Sequence, residues 1–100
     1  MRRRAAKIDS NQNAIVDALR KIPDVSVKPG HDDILVGYRL RLRTYWYEIK
    51  SEKAVSKKTG KVREKAKKES QIDLENRWRG HYKIVSSLEE IMMDLFYEGR

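Results

Sequence analysis

Apolar residues recur at helical spacing from about Ser10 to Ile22, where Ile15, Ala18, Leu19 and Ile22 share one face. Asp9 or Ser10 can cap that helix, and Pro23 stops it. The period then changes to two. Val25-Ser26-Val27 alternates as a short edge strand, and Pro29-Gly30 signals a turn. Ile34-Leu35-Val36 predicts a buried strand. Thr44 to Lys50, carrying Tyr45, Trp46, Tyr47 and Ile49, predicts a second. These two pair antiparallel, with Arg39 to Arg43 as a protruding basic tip. Ser70 with Asp73 has the spacing of a capping box, Ile72, Leu74 and Trp78 supply that helix with apolar positions, and Gly80 ends it. Tyr82 to Val85 predicts a short strand. Ser87-Leu88-Glu89-Glu90 opens a last helix whose stripe of Leu88, Ile91, Met92, Leu95 and Phe96 reads as core packing. Helix, three strands, helix, strand, helix is the order of a small α/β domain with a mixed sheet.

Composition narrows the field. One hundred residues make a single domain, 1–100, and a share of 39% hydrophobic residues is too high for a wholly disordered chain. No run approaches the roughly 20 apolar residues of a membrane-spanning helix. The N-terminal charge has no apolar stretch behind it, so no secretory signal is expected and the cytosol is the expected compartment. Without cysteine there are no disulfides, thiolate zinc sites or cysteine nucleophiles, and His31 and His81 are too few for a histidine metal cluster.

The formal net charge is +8, and from Lys53 to Lys68 eight cations face one anion, Glu64. Segment 51–69 therefore reads as a flexible basic loop that cannot bury itself, and 1–8, with Arg2, Arg3 and Arg4, as a basic arm. Arg39, Arg41 and Arg43 alternate along a strand-like stretch, which places three cations on one face. Such clusters suit a polyanion, although a solvated surface accounts for charge alone equally well.

The chemistry gathers around Asp33-Ile34-Leu35-Val36-Gly37 and Tyr45-Trp46-Tyr47-Glu48-Ile49-Lys50. Alternation sends Trp46, Glu48 and Lys50 to one face, and Tyr45, Tyr47 and Ile49 to the other. With Asp33 at the end of the neighbouring strand, two carboxylates and an ammonium converge. A divalent cation relieves the repulsion, and oxygen ligands favour Mg²⁺ or Mn²⁺. Such an ion polarises a phosphodiester and acidifies a bound water, which Lys50 can orient. The plain alternative is an aspartate at a turn beside a surface Glu-Lys pair.

Asp33…Glu48-x-Lys50, on the second and third strands after an initial helix, resembles the PD-(D/E)XK nuclease superfamily. More narrowly, the chain is similar to small phage and prophage proteins of the VRR-NUC type. The likeness runs through Arg2-Arg3-Arg4-Ala5, Asp9-x-Asn11-Gln12, Ile15-Val16-x-Ala18-Leu19-Arg20, Asp33 to Arg39, Tyr47 to Lys50, Trp78-Arg79-Gly80 and Ile84-Val85-x-Ser87-x-Glu89-Glu90. The resemblance implies a minimal restriction-endonuclease-like fold and metal-dependent cleavage of DNA in a bacterial host, with branched or flapped DNA as a candidate substrate. It implies Asp33, Glu48 and the Ile49 carbonyl as ligands of Mg²⁺ or Mn²⁺, Lys50 as catalytic lysine, and Gln71 and Gln12 near the centre. Departures are Asp32 in place of the usual proline, which leaves Asp32 or Asp33 as ligand, and Ala14 where a helix glutamate is common.

Arg39, Arg41, Arg43, Lys53, Lys57, Lys58, Lys61 and Arg63 are the expected DNA contacts, the basic loop being placed to close over phosphates. His31 offers a near-neutral proton donor, or is simply a solvated loop residue. Trp46 is a base-stacking candidate or a packing wall; Trp78-Arg79 reads as core plus surface. Cutting both strands with so small a chain makes a symmetric homodimer a further expectation. The competing readings are a nucleic-acid-binding protein that retains the fold without catalysis, and a structural phage protein with a basic surface.

Overall fold

The computed structural model describes residues 10–31 and 33–97. The basic arm, the expected cap Asp9 and the alternative ligand Asp32 lie outside the described residues. Helix α1 spans Ser10–Arg20. Pro23 cannot continue it, and Asp24 turns the chain with a left-handed φ of 67°, a conformation that short polar side chains tolerate.

Strands β1 (Val25–Pro29), β2 (Asp33–Tyr38), β3 (Arg43–Ile49) and β4 (Lys83–Val85) form one sheet in the order β1-β2-β3-β4. The first two pairings are antiparallel, and β4 joins β3 in parallel. The crossover to β4 passes through helix α2 (Glu69–Arg77), and helix α3 (Leu88–Phe96) closes the chain. The protein is thus a small α/β domain with a four-stranded mixed sheet and three α-helices in the expected order. No helix among the described residues is long and apolar enough to cross a membrane.

Alternation assigns the two faces. Ile34, Val36, Tyr45, Tyr47, Ile49 and Val85 pack with Ile15, Val16 and Leu19 of α1 and Ile91 and Leu95 of α3 as the core. The reverse face carries Asp33, Leu35, Trp46 and Glu48. Helix α2 lies over its β3–β4 side, where Gln71 reaches Glu48. The Ser87 cap of α3 forms as expected, its hydroxyl accepting from the Glu90 N–H at 3.2 Å; the reciprocal bond of the expected capping box is shifted by one residue, Glu90 Oε1 accepting from the Ser86 N–H at 2.8 Å.

Four local expectations need correction. Arg39–Arg41 is a 3₁₀ turn ending at Leu42 with φ 50°, so the three arginines do not line a strand face. Leu40 and Leu42 at this tip are exposed, and Arg41 buries a guanidinium nitrogen that has no hydrogen-bond partner among the described residues. Helix α2 is capped by Lys68 and Gln71, not Ser70 and Asp73; it leaves helical geometry at Trp78, before Gly80. Its buried side chain is Gln71, while Ile72 and Leu74 are half-buried and Trp78 is 51% exposed. The basic loop carries structure: Val55 bridges Val62, Ser56 N–H donates to the Lys61 carbonyl at 2.8 Å, and Gly60 makes the turn with φ 72°. Val62 is buried, anchoring an excursion on which Lys53, Lys57, Lys58, Lys61 and Arg63 point to solvent.

Two substitutions test this packing. Leu95→Ala in the core should destabilise by about 2–5 kcal/mol, and Ser87→Ala at the α3 cap by about 1 kcal/mol, both read by urea unfolding.

Candidate functional site

The register of β2 and β3 places Asp33 directly opposite Glu48. Residues so paired share a face, with Cβ atoms about 4.5–5.5 Å apart. Each carboxylate has its own donor. Trp46, two residues before Glu48, donates its indole N–H to Asp33 Oδ2 at 2.8 Å. Gln71 Nε2 donates to Glu48 Oε2 at 2.9 Å. The Gln71 amide is oriented by its other end, because Oε1 accepts the Lys68 N–H at the start of α2. One side chain therefore caps a helix and holds a buried carboxylate.

The Asp33 backbone is fixed by the preceding turn, where Gly30 N–H donates to the Asp33 carbonyl at 2.7 Å. A Cβ at Gly30 would lie 2.3 Å from Asp33 Oδ1, so glycine is what lets the carboxylate lie against the chain. Gln12, buried on α1, donates to the Gly30 carbonyl at 3.1 Å. It was expected beside the carboxylates; it braces their turn instead. Ala14 is exposed and lies by Ser87 and Leu88. His31 is exposed in the same turn.

Lys50 follows β3 immediately, in register with Glu48's face. Among the described residues no ion pair joins it to Asp33 or Glu48. Its backbone is held twice: its N–H donates to the Val85 carbonyl at 2.8 Å, and its carbonyl accepts from Asn11 Nδ2 at 3.1 Å. Asn11 Nδ2 also donates to the Ser86 carbonyl at 3.0 Å, so one amide closes the ends of both parallel strands.

Tyr82 lies on the carboxylate face, edge-on to Trp46 at 4.8 Å. Its hydroxyl is buried without a hydrogen-bond partner among the described residues. Burial first, then the charges of Glu48, Glu75 and Asp33, push the phenol well above its ordinary value. Glu75, one turn after Gln71 on α2, pairs with Lys67 at 3.1 Å. Sequence reasoning missed Tyr82, Asn11 and the bond from Trp46 to Asp33. The alternation that put Trp46 beside Glu48 was the available signal, since a part-buried indole N–H seeks an acceptor.

On the core face, His81 Nδ1 accepts the Trp46 backbone N–H at 3.2 Å. That assigns the ring proton to Nε2, which donates to Asp94 Oδ2 at 2.5 Å, where the Tyr47 hydroxyl also donates at 2.7 Å. Burial raises the Asp94 carboxyl, but the hydrogen bonds from Tyr47 and His81, with the charge of Lys83, outweigh it and hold it below the ordinary value of 3.8.

Among the described residues no group of three or more His, Asp or Glu side chains gathers as a metal cage. The donor set is instead two facing carboxylates, with the Ile49 carbonyl one residue past the last β2–β3 pair. An all-oxygen set with two carboxylates fits Mg²⁺, which commonly keeps several waters beside one or two carboxylates. Comparisons with family models, curated proteins and solved structures return no match to this chain.

The Asp94 network gives a pH prediction. A carboxyl depressed in the folded state contributes stability above its ordinary value and loses it as pH falls through the folded value. Wild-type stability should therefore drop as pH falls below 3.8. Asp94→Asn should be less stable at neutral pH and show a shallower acid decline, measured by urea unfolding across the acid range.

Proposed function

We propose that this chain is a metal-dependent DNA endonuclease with a minimal restriction-endonuclease-like fold, of the PD-(D/E)XK type and nearest in kind to the VRR-NUC proteins. The observation that carries the reading is the direct pairing of Asp33 with Glu48, with Lys50 two residues past Glu48, just beyond the end of β3. The order of helices and strands, and a parallel fourth strand placed by α2, are further support.

In this reading Asp33, Glu48 and the Ile49 carbonyl hold Mg²⁺ or Mn²⁺. The ion supplies Lewis-acid activation of a phosphodiester and a more acidic bound water. The chain's residues do the rest. Trp46 and Gln71 each occupy one carboxylate oxygen, which fixes the direction of the others. Lys50 is assigned to a phosphate oxygen or an attacking water. Arg39, Arg41 and Arg43 at the tip, and Lys53, Lys57, Lys58, Lys61 and Arg63 on the excursion, bind the sugar-phosphate backbone without reading sequence. Cleavage of both strands is assigned to a symmetric homodimer.

Glu48→Gln and Lys50→Ala should each abolish nicking of supercoiled plasmid in Mg²⁺ or Mn²⁺ while leaving the unfolding midpoint and DNA affinity close to wild type. Undiminished nicking by either overturns the assignment. Wild-type protein that binds DNA but never nicks it, whatever the cation, indicates a non-catalytic nucleic-acid-binding protein.

Gly30→Ala tests the carboxylate's seat. The added methyl must displace the end of Asp33, so Mn²⁺ affinity in titration calorimetry should fall by tenfold or more, about 1.4 kcal/mol, with stability changing less. Unaltered Mn²⁺ affinity would separate Asp33 from the ion.

A further inference from the structure

The chain reverses between β2 and β3 through Arg39-Leu40-Arg41-Leu42-Arg43, an alternation of cation and leucine. Leu40 is 69% exposed and Leu42 87%, the barest large hydrophobic side chain among the described residues. Leu42 is also left-handed, with φ 50° and ψ 45°, its N–H donating to the Arg39 carbonyl at 3.1 Å. That conformation suits glycine and strains a leucine. Folding gains nothing from leucine here, since the side chain stays in solvent and the backbone lies in a costly region. An outlier of this kind on a surface points to a partner. The neighbouring charges give the partner's sign. Arg39, Arg41 and Arg43 have no ion-pair partner among the described residues. Beside Leu42 lies a hollow of about 520 Å³ edged by Arg39 and Arg43, and among the described residues Asp24 is its only acidic lining. Ser26, Gly37 and Thr44, adjacent in the register, give it a floor of small residues on the same sheet face as Asp33 and Glu48. A Cβ at Gly37 would meet nothing nearer than the Ser26 Cβ at 4.0 Å, so the floor is open.

We infer that this tip is a wedge for duplex DNA: Leu42 enters a base step from the minor groove, Leu40 backs it, and the arginines hold phosphates on either side. This deepens the nuclease reading and rests on it for the choice of DNA. An apolar side chain inserted at a step, with arginine beside it in the groove, unstacks the step and kinks the duplex by about 20–90°. The hollow then receives the sugar-phosphate backbone of one strand on its way to the carboxylates. From the Tyr38–Arg43 pair to the Asp33–Glu48 pair is five residues along the strands, roughly 17 Å. At about 3.4 Å per base step, that holds the kink about five base pairs from the cut. A second copy of the chain fits the tip poorly, because a two-fold axis there would set three unpaired arginines against themselves. A membrane fits poorly too, because two leucines on a single turn offer little apolar area to insert.

Leu42→Gly separates the wedge from folding, because glycine relieves the left-handed strain while deleting the side chain. Its urea midpoint should be no lower than that of wild type. A short duplex with a fluorophore pair at its ends and 2-aminopurine at successive steps is saturated with each protein in EDTA, so that shape is read without cleavage. Wild type and Leu42→Met should kink it by at least about 20° and brighten the 2-aminopurine. Leu42→Gly should bind through the arginines yet leave the duplex straight and the 2-aminopurine dim. Equal kinking by wild type and Leu42→Gly, or a straight duplex with wild type, would overturn the inference. So would Leu42-dependent binding to phosphatidylserine vesicles, or Leu42-dependent self-association, without any kink. In Mn²⁺ the cut should fall about five base pairs from the step that brightens. Failure of the nuclease reading is seen separately, as a duplex that is kinked but never cut.

Discussion

Two carboxylates set opposite each other on adjacent antiparallel strands repel. At about 5 Å and an effective dielectric of about 20, the repulsion between full charges is about 3 kcal/mol. The fold retains the pair because each member accepts a hydrogen bond from a side chain held elsewhere, Asp33 from Trp46 and Glu48 from Gln71. Hydrogen bonds to charged groups contribute about 1.5–3 kcal/mol each, enough together to offset the repulsion. Much else in the domain follows from this. Gly30 must be small, α2 must begin where Gln71 can reach, and β2 must stay in register with β3, because a slip of one residue would send Asp33 to the core.

Strand β3 serves two polar networks on opposite faces. Trp46 and Glu48 face α2 and Tyr82; Tyr45 and Tyr47 face His81 and α3. The networks are linked through backbone. β4 pairs only with Tyr47 to Ile49, so the Trp46 N–H would have no ladder partner, and His81 supplies one. At the other end the ladder stops at Ile49 and Val85, and Asn11 collects the next two carbonyls. These two side chains finish a parallel pairing only three residues long. They fix the strand whose reverse face presents Glu48, so the core-side histidine and the helix asparagine both contribute to the geometry of the carboxylates.

What was legible in the sequence was periodic. The alternation through Tyr45 to Ile49, the stripe of α3 and the Ser87 cap each depend on neighbours in the chain, and each appears where its pattern placed it. The failures are contacts across long sequence separations or backbone choices among near-equal alternatives. Ser70 and Gln71 both suit the start of a helix; Gln71 prevails because Glu48, 23 residues away, needs a donor. Arg39 to Arg43 alternates like a strand, yet it must also reverse the chain, and the reversal takes a 3₁₀ turn and a left-handed Leu42. The basic excursion looked structureless because Val55 and Val62, which bridge each other and of which Val62 is buried, are small apolar residues scattered among lysines. Gln12 was placed in the right neighbourhood, but its partner is a carbonyl of the turn, which no side-chain pattern announces.

The division of charge follows from the same topology. From the Asp33–Glu48 pair to the Tyr38–Arg43 pair is five residues along the strands, or roughly 17 Å, about two Debye lengths at physiological salt. The arginines of the tip therefore neither neutralise the carboxylates nor are neutralised by them. Lys67 is already paired with Glu75, and Lys50 lies beyond the end of β3. The carboxylates thus stand well apart from the arginines of the tip. In the proposed reading, a phosphate drawn by the basic periphery meets two carboxylates at the centre, and a divalent ion between them would resolve that conflict.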